Sequence, residues 1–182
     1  GSQVVAATHS EVVLNEAADR DVVVAFVGRP HRIDDRGKEV LKSLKSIGFD
    51  QYFQAEQTGW VLYVEGATDL AILQSFARML GHPAAADLER PFMKAVANQP
   101  NVAREHFVGL KEAKPDLVGF ALFDRLESQT PTDFRGLTER QWSRREIENY
   151  LCMPQVLLRW AAREGKRQSG DLFESQWTDL MQ

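Results

Sequence analysis

Glu65, Asp69 and Asp124 are the side chains of this sequence best placed to do chemistry. The apolar run Trp60 to Val64 ends in Glu65-Gly66-Ala67-Thr68-Asp69, and a second apolar run, Leu117 to Phe123, ends in Asp124. Short continuous apolar runs bounded by polar residues read as buried strands. The acidic side chains therefore fall at the C-terminal ends of strands, where an open α/β sheet binds its ligands. Carboxylates gathered there repel one another unless a cation sits among them, and hard divalent ions take such oxygen ligands. Glu65 precedes Gly66 and projects from a tight turn. Asp69 can face the same cleft from the first turn of the next helix, a place the helix dipole also favours for an acid.

Around these residues the chain alternates in type. Gln3 to Thr8 reads as a short buried strand, His9-Ser10 opens a helix through about Ala18, and the valine-rich run Asp21 to Val27 is a second strand. Val40, Leu41, Leu44 and Ile47 recur at helical spacing, and Gly48 follows as a C-terminal cap. Residues 50–59 show little periodicity, which predicts a boundary between domains 1–56 and 57–182. From Trp60 the order is strand, helix, strand, helix, strand. The first helix, about Thr68 to Leu80, is expected to bury Leu70, Leu73, Phe76, Ala77 and Leu80 before Gly81 and Pro83 stop it. Phe92 to Ala97 suits either a strand or a helical turn begun by Pro91, and Val102 to Ala113 is a helix ending at Pro115. Such alternation predicts an α/β fold, a parallel sheet with right-handed crossovers and helices on both faces. In the tail, Ser143-Arg144-Arg145-Glu146 is a capping-box pattern for a helix holding Ile147, Tyr150 and Leu151. Pro154 opens another helix, to about Glu164 before Gly165.

Composition narrows the class. Hydrophobic residues at 43% with 26% charged suit a globular domain, and no apolar run approaches the roughly 20 residues of a spanning helix. A single cysteine, Cys152, excludes an internal disulfide and fits a reducing, cytoplasmic setting. A net charge of −4 gives no global sign of nucleic-acid binding, yet Arg140, Arg144, Arg145, Arg159, Arg163 and Arg167 concentrate late in the chain. That concentration suits either a solvated helix face or phosphate contact. Gly1-Ser2 reads as a cloning scar on a piece of a longer protein.

The strand-Glu-Gly-x-x-Asp segment followed by strand-Asp124 resembles the Toprim domain. Two further segments resemble the OLD (overcoming lysogenization defect) nucleases: Glu148-Asn149-Tyr150, like the acidic helix after their Toprim strands, and Ala7-Thr8-His9-Ser10, like the switch-histidine segment of their ABC-type ATPase domain. The order ATPase tail, then Toprim domain, covers most of the chain. Toprim domains usually carry Asp-x-Asp at the second strand end; here the sequence is Asp124-Arg125-Leu126-Glu127. Glu127, the backbone carbonyl of Leu126, or Glu148 would then supply the missing oxygen.

The resemblance implies metal-dependent hydrolysis of phosphodiester bonds in DNA. Two divalent ions, Mg²⁺ or Mn²⁺, would be held by Glu65, Asp69, Asp124 and Glu148, with Asp124 shared between them. A basic residue is expected to stabilise the transition state, either Lys166 or one beyond Gln182. No G-x-x-x-x-G-K-[ST] phosphate loop occurs, so ATP would enter only through a missing ATPase domain and His9 has a structural role here. DNA is the implied partner, a homodimer would form through the full-length protein, and no membrane is involved. The alternatives are another Toprim activity, primase-like or ribonuclease, and a non-catalytic metal- or DNA-binding module that regulates the ATPase, which Leu126 favours. His9, His31, His82 and His106 lie apart from any zinc spacing, no G-x-S-x-G elbow is present, and Tyr52, Tyr63 and Tyr150 make poor topoisomerase nucleophiles.

Overall fold

The computed structural model describes residues 2–27, 29–33, 38–127 and 130–169, and for 38, 39 and 165–169 the backbone alone. Two compact units emerge, Gly1–Gln141 and Trp142–Gln182. The first is α/β, built on a four-stranded parallel sheet of β3 (Trp60–Val64), β4 (Met93–Ala95), β5 (Val118–Phe123) and β6 (Leu137–Gln141) in the order β4-β3-β5-β6. Helix α4 (Ala67–Met79) joins β3 to β4, and α5 (Pro100–Ala113) joins β4 to β5. The crossovers run in opposite directions across the sheet, so the right-handed rule puts the helices on opposite faces.

One face is well filled. Val61, Tyr63, Ala121, Phe123 and Leu137 form a single buried core with Phe107 and Leu110 of α5. Gly119 on β5 leaves the room this packing needs, since a Cβ there would lie 2.7 Å from Leu137 Cδ1 and 2.8 Å from Phe107 Cε2. The same core takes in helices α1 (Glu11–Ala17), α2 (Lys38–Ile47) and α3 (Phe49–Thr58) through Leu14, Leu44, Phe49, Tyr52 and Ala55. On the other face Leu62 and Val64 are buried, whereas Val118 and Phe120 remain 55% and 36% exposed. No helix lies among the described residues between β5 and β6 to cover them.

Several expectations need correction. Gln3 to Thr8 has no regular structure: among the described residues it pairs with no strand, and Val4 and Val5 are exposed. Without ladder hydrogen bonds an extended run gains nothing from its β propensity. The run from Asp21 to Val27 yields only β1 (Val24–Ala25), antiparallel to β2 (His31–Arg32). Gly48 does end α2, at φ 108°, but α3 starts immediately, so residues expected to be irregular are helical. Phe49, Tyr52 and Ala55 are spaced to bury one narrow stripe in the shared core, and the expected boundary at 56/57 falls inside α3, not where the compact units divide.

Helix α4 forms as expected but buries less of its apolar face, with Leu70, Leu73 and Phe76 only half-buried and Leu80 exposed. The 92–97 segment resolves as strand β4. Strand β6 is an addition; its inward Glu139 conceals the apolar alternation of a strand. In the second unit, Ile147–Tyr150 is a single 3-10 turn, not a helix begun by Ser143. Glu146 and Asn149 form the reciprocal cap, while Ser143 Oγ lies 2.7 Å from the Tyr150 hydroxyl. Helix α6 runs Pro154–Ser169, through Gly165, since a glycine inside a helix costs only about 1 kcal/mol relative to alanine. Among the described residues no helix is long and apolar enough to cross a membrane.

Candidate functional site

The order of the sheet fixes where a ligand would sit. From β3 the chain crosses outward to β4, then returns to add β5 on the other side of β3. The gap between β3 and β5 is thus a topological switch point, and its crevice opens at the carboxyl ends of the strands. Tyr63 pairs with Ala121 across these strands, so Glu65 emerges two residues past the pair and Asp124 three. The sheet places both at the same edge.

Each carboxylate has its own surroundings. Val64 is buried and Glu65 exposed, because the strand leaves the core between them. Gly66, in an extended conformation, caps α4, and Asp69 is the third residue of that helix. Asp69 is buried and its Oδ2 accepts the Glu65 backbone N–H at 3.1 Å. It therefore stabilises the very turn that carries Glu65, besides lying at the positive end of the helix. Asp124 is half-buried, and its backbone N–H donates to Asn98 Oδ1 at 2.9 Å.

Asn98 was not singled out by the sequence reading. It lies in the turn between β4 and α5, where Ala97 and Asn98 have φ of 45° and 56°. Consecutive left-handed residues without glycine are unusual, and asparagine tolerates that region best. The Ala97 N–H also donates to the Glu65 carbonyl at 3.2 Å. This turn therefore ties together the ends of β3 and β5. The available signal was the Asn-Gln-Pro cluster at positions 98–100, a turn marker.

The remaining predicted ligands have surroundings of other kinds. Leu126 packs its side chain against the core and donates its N–H to Gln141 Oε1 at 3.1 Å. Glu127 is exposed. Glu148 is half-buried in the 3-10 turn of the second unit, where its carbonyl accepts from Leu151 and Cys152. Lys166 is in α6, and its side chain lies outside the described residues. Among the described residues no group of three or more His, Cys, Asp or Glu side chains is gathered as a metal site. The metal reading accordingly rests on hard oxygen donors at adjoining strand ends, not on a preformed shell.

Beneath the crevice, β3 and β6 are braced by polar contacts. The Tyr63 hydroxyl lies 2.8 Å from His106 Nδ1, and His106 Nε2 lies 2.8 Å from Gln51 Oε1, which also accepts from Lys94 Nζ at 3.2 Å. Burial, with the Lys94 charge adding to it, pushes His106 down to about 4, and burial raises Tyr63. Neutral His106 thus donates from Nε2 and accepts from Tyr63 at Nδ1. On β6 the fully buried Glu139 takes two bonds of 2.6 Å from Arg104, and these bonds raise the pKa of the guanidinium. Compared with protein-family models, curated proteins and solved structures, this chain matches none.

Proposed function

We propose that this chain is the catalytic part of a metal-dependent DNA nuclease of the OLD type, with a Toprim domain hydrolysing phosphodiester bonds. The observation that carries this reading is the pair Glu65 and Asp124 at the carboxyl ends of adjacent parallel strands, at the switch point of the sheet. The parallel α/β architecture is compatible with a Toprim-like fold, and the sequence resemblance supplies the choice of family.

Glu65, Asp69 and Asp124 would hold the divalent ions, with Glu127 or the Leu126 carbonyl completing the shell. Bound Mg²⁺ or Mn²⁺ would supply an activated water and neutralise charge on the departing oxygen. The protein's own part is positioning: Asp69 fixes the Glu65 turn and Asn98 fixes the end of β5. ATP would act through an ATPase domain outside this chain. The exposed thiol of Cys152 suits a cytoplasmic protein, and a homodimer would form through the full-length protein.

Plasmid DNA incubated with the protein and Mn²⁺ or Mg²⁺ tests the proposal. Nicked or linear product is expected, with Glu65→Ala and Asp124→Ala each losing activity by orders of magnitude. Undiminished cleavage by both variants would move the active site elsewhere, and cleavage of RNA alone would favour the ribonuclease alternative. A second reading, a non-catalytic module regulating the ATPase, draws on Leu126, whose side chain packs into the core where a Toprim aspartate is usual. Metal-dependent stabilisation without any cleavage would select it.

A further inference from the structure

The second unit carries an aromatic and cationic cluster of its own. The half-buried rings of Trp142 and Tyr150 have centroids 5.3 Å apart. The Arg144 guanidinium lies 4.9 Å from the Tyr150 ring centroid, and its Nη1 donates to the Asn149 carbonyl. The Tyr150 hydroxyl meets Ser143 Oγ at 2.7 Å and accepts the Arg144 backbone N–H at 3.3 Å, contacts that lower its pKa. Arg145 beside it is 84% exposed, with only a loose 3.7 Å pairing to Glu146.

Two features separate this cluster from an ordinary solvated face. Arg144 is exposed yet fixed: ring and carbonyl hold its plane, and among the described residues no carboxylate neutralises it. A guanidinium offers five N–H donors in a rigid fork, and one suffices for Asn149. Fixing it in advance reduces the entropy lost on binding an anion. The charge is also local: between Trp142 and Ser169 the sequence has five arginines and one lysine against three glutamates, whereas the whole chain carries −4. Aromatic faces interleaved with arginine suit single-stranded nucleic acid, whose unpaired bases stack while its phosphates take the cations. A duplex offers phosphates but keeps its bases stacked inside.

We propose that Trp142, Arg144, Arg145 and Tyr150 form a surface that binds single-stranded nucleic acid, the rings and guanidinium stacking on bases and the arginines contacting phosphates. This deepens the nuclease reading and rests on it for the kind of polymer, but its test needs no cleavage. Fluorescence anisotropy of a labelled oligothymidylate, about 16 nucleotides long, would be followed with the whole protein in chelator. Binding weakened at least about fivefold in Tyr150→Leu and Trp142→Leu is expected, with Tyr150→Phe unchanged. Arg145→Gln should lower the salt slope by about 0.7, and its exposed side chain makes it the variant least prone to misfold. An unlabelled duplex of equal length should compete poorly. The proposal is overturned if the parent does not bind the oligonucleotide, if duplex competes equally, or if well-folded Arg145→Gln and Tyr150→Leu bind normally. Loss of cleavage with strand binding intact would count against the catalytic reading alone.

Discussion

The Asn98 side-chain carbonyl accepts the backbone N–H of Asp124 at 2.9 Å, joining the turn after β4 to the end of β5. Because Ala97 in the same turn donates to the Glu65 carbonyl, one short segment spaces both strand ends. Asn98→Ala should lose about 1–2 kcal/mol, from the missing acceptor and a left-handed backbone that alanine tolerates poorly. Asn98→Gly keeps the backbone conformation but not the bond. If the turn positions Asp124, both variants should show weaker metal response in thermal melts, and Asn98→Asp, which retains an acceptor, should recover part of it. A full metal response in Asn98→Gly would reduce the turn to a structural element.

Divalent metal should raise the melting temperature, because an ion bound among carboxylates favours the folded state alone. Melts in Mg²⁺, Mn²⁺ or chelator are the measurement. Asp124→Ala should remove most of the shift. Equal curves in all conditions would assign the acids a purely structural role.

His106 predicts a pH dependence. Its folded pKa, about 4, is below the ordinary 6.5, so the unfolded chain binds the proton more readily. The contribution is present above about pH 6.5 and is lost as pH falls towards 4, on the order of 3 kcal/mol at its fullest. Denaturant midpoints taken across that window should fall steeply, and His106→Gln should flatten this part of the profile. An unchanged slope in the variant would mean that His106 titrates normally.

Arg104→Met should destabilise the first unit by about 3 kcal/mol, since it leaves the Glu139 carboxylate buried without its cation. Replacing Glu139 by glutamine in the same chain should restore much of the loss. Chemical denaturation of the single and double variants measures the coupling, and strictly additive losses would show that the pair acts through packing alone.

The strands of the crevice were legible because Trp60–Val64 and Val118–Phe123 are short apolar runs, and in such runs burial and β propensity agree. Strand β6 was not, because Glu139 stands at an inward position, made tolerable by an arginine 35 residues away and by the Thr132 backbone N–H. Helix α3 escaped notice because three buried positions, Phe49, Tyr52 and Ala55, stand among polar residues in place of a broad apolar face. For the site, acids at strand ends are visible in any sequence that shows its strands. The partner of Asp124 was not, since Asn98 is 26 residues away and its role depends on a fold-determined meeting.

The β3–β5 pairing has a consequence for how the molecule comes into being. These strands are neighbours in space but are separated by the whole of α4, β4 and α5. A parallel pair closed over so long a stretch must lose chain entropy before it gains contacts, which slows folding. Glu65 and Asp124 therefore come together only when that entire span has folded, so an incomplete chain during synthesis carries no assembled acidic edge.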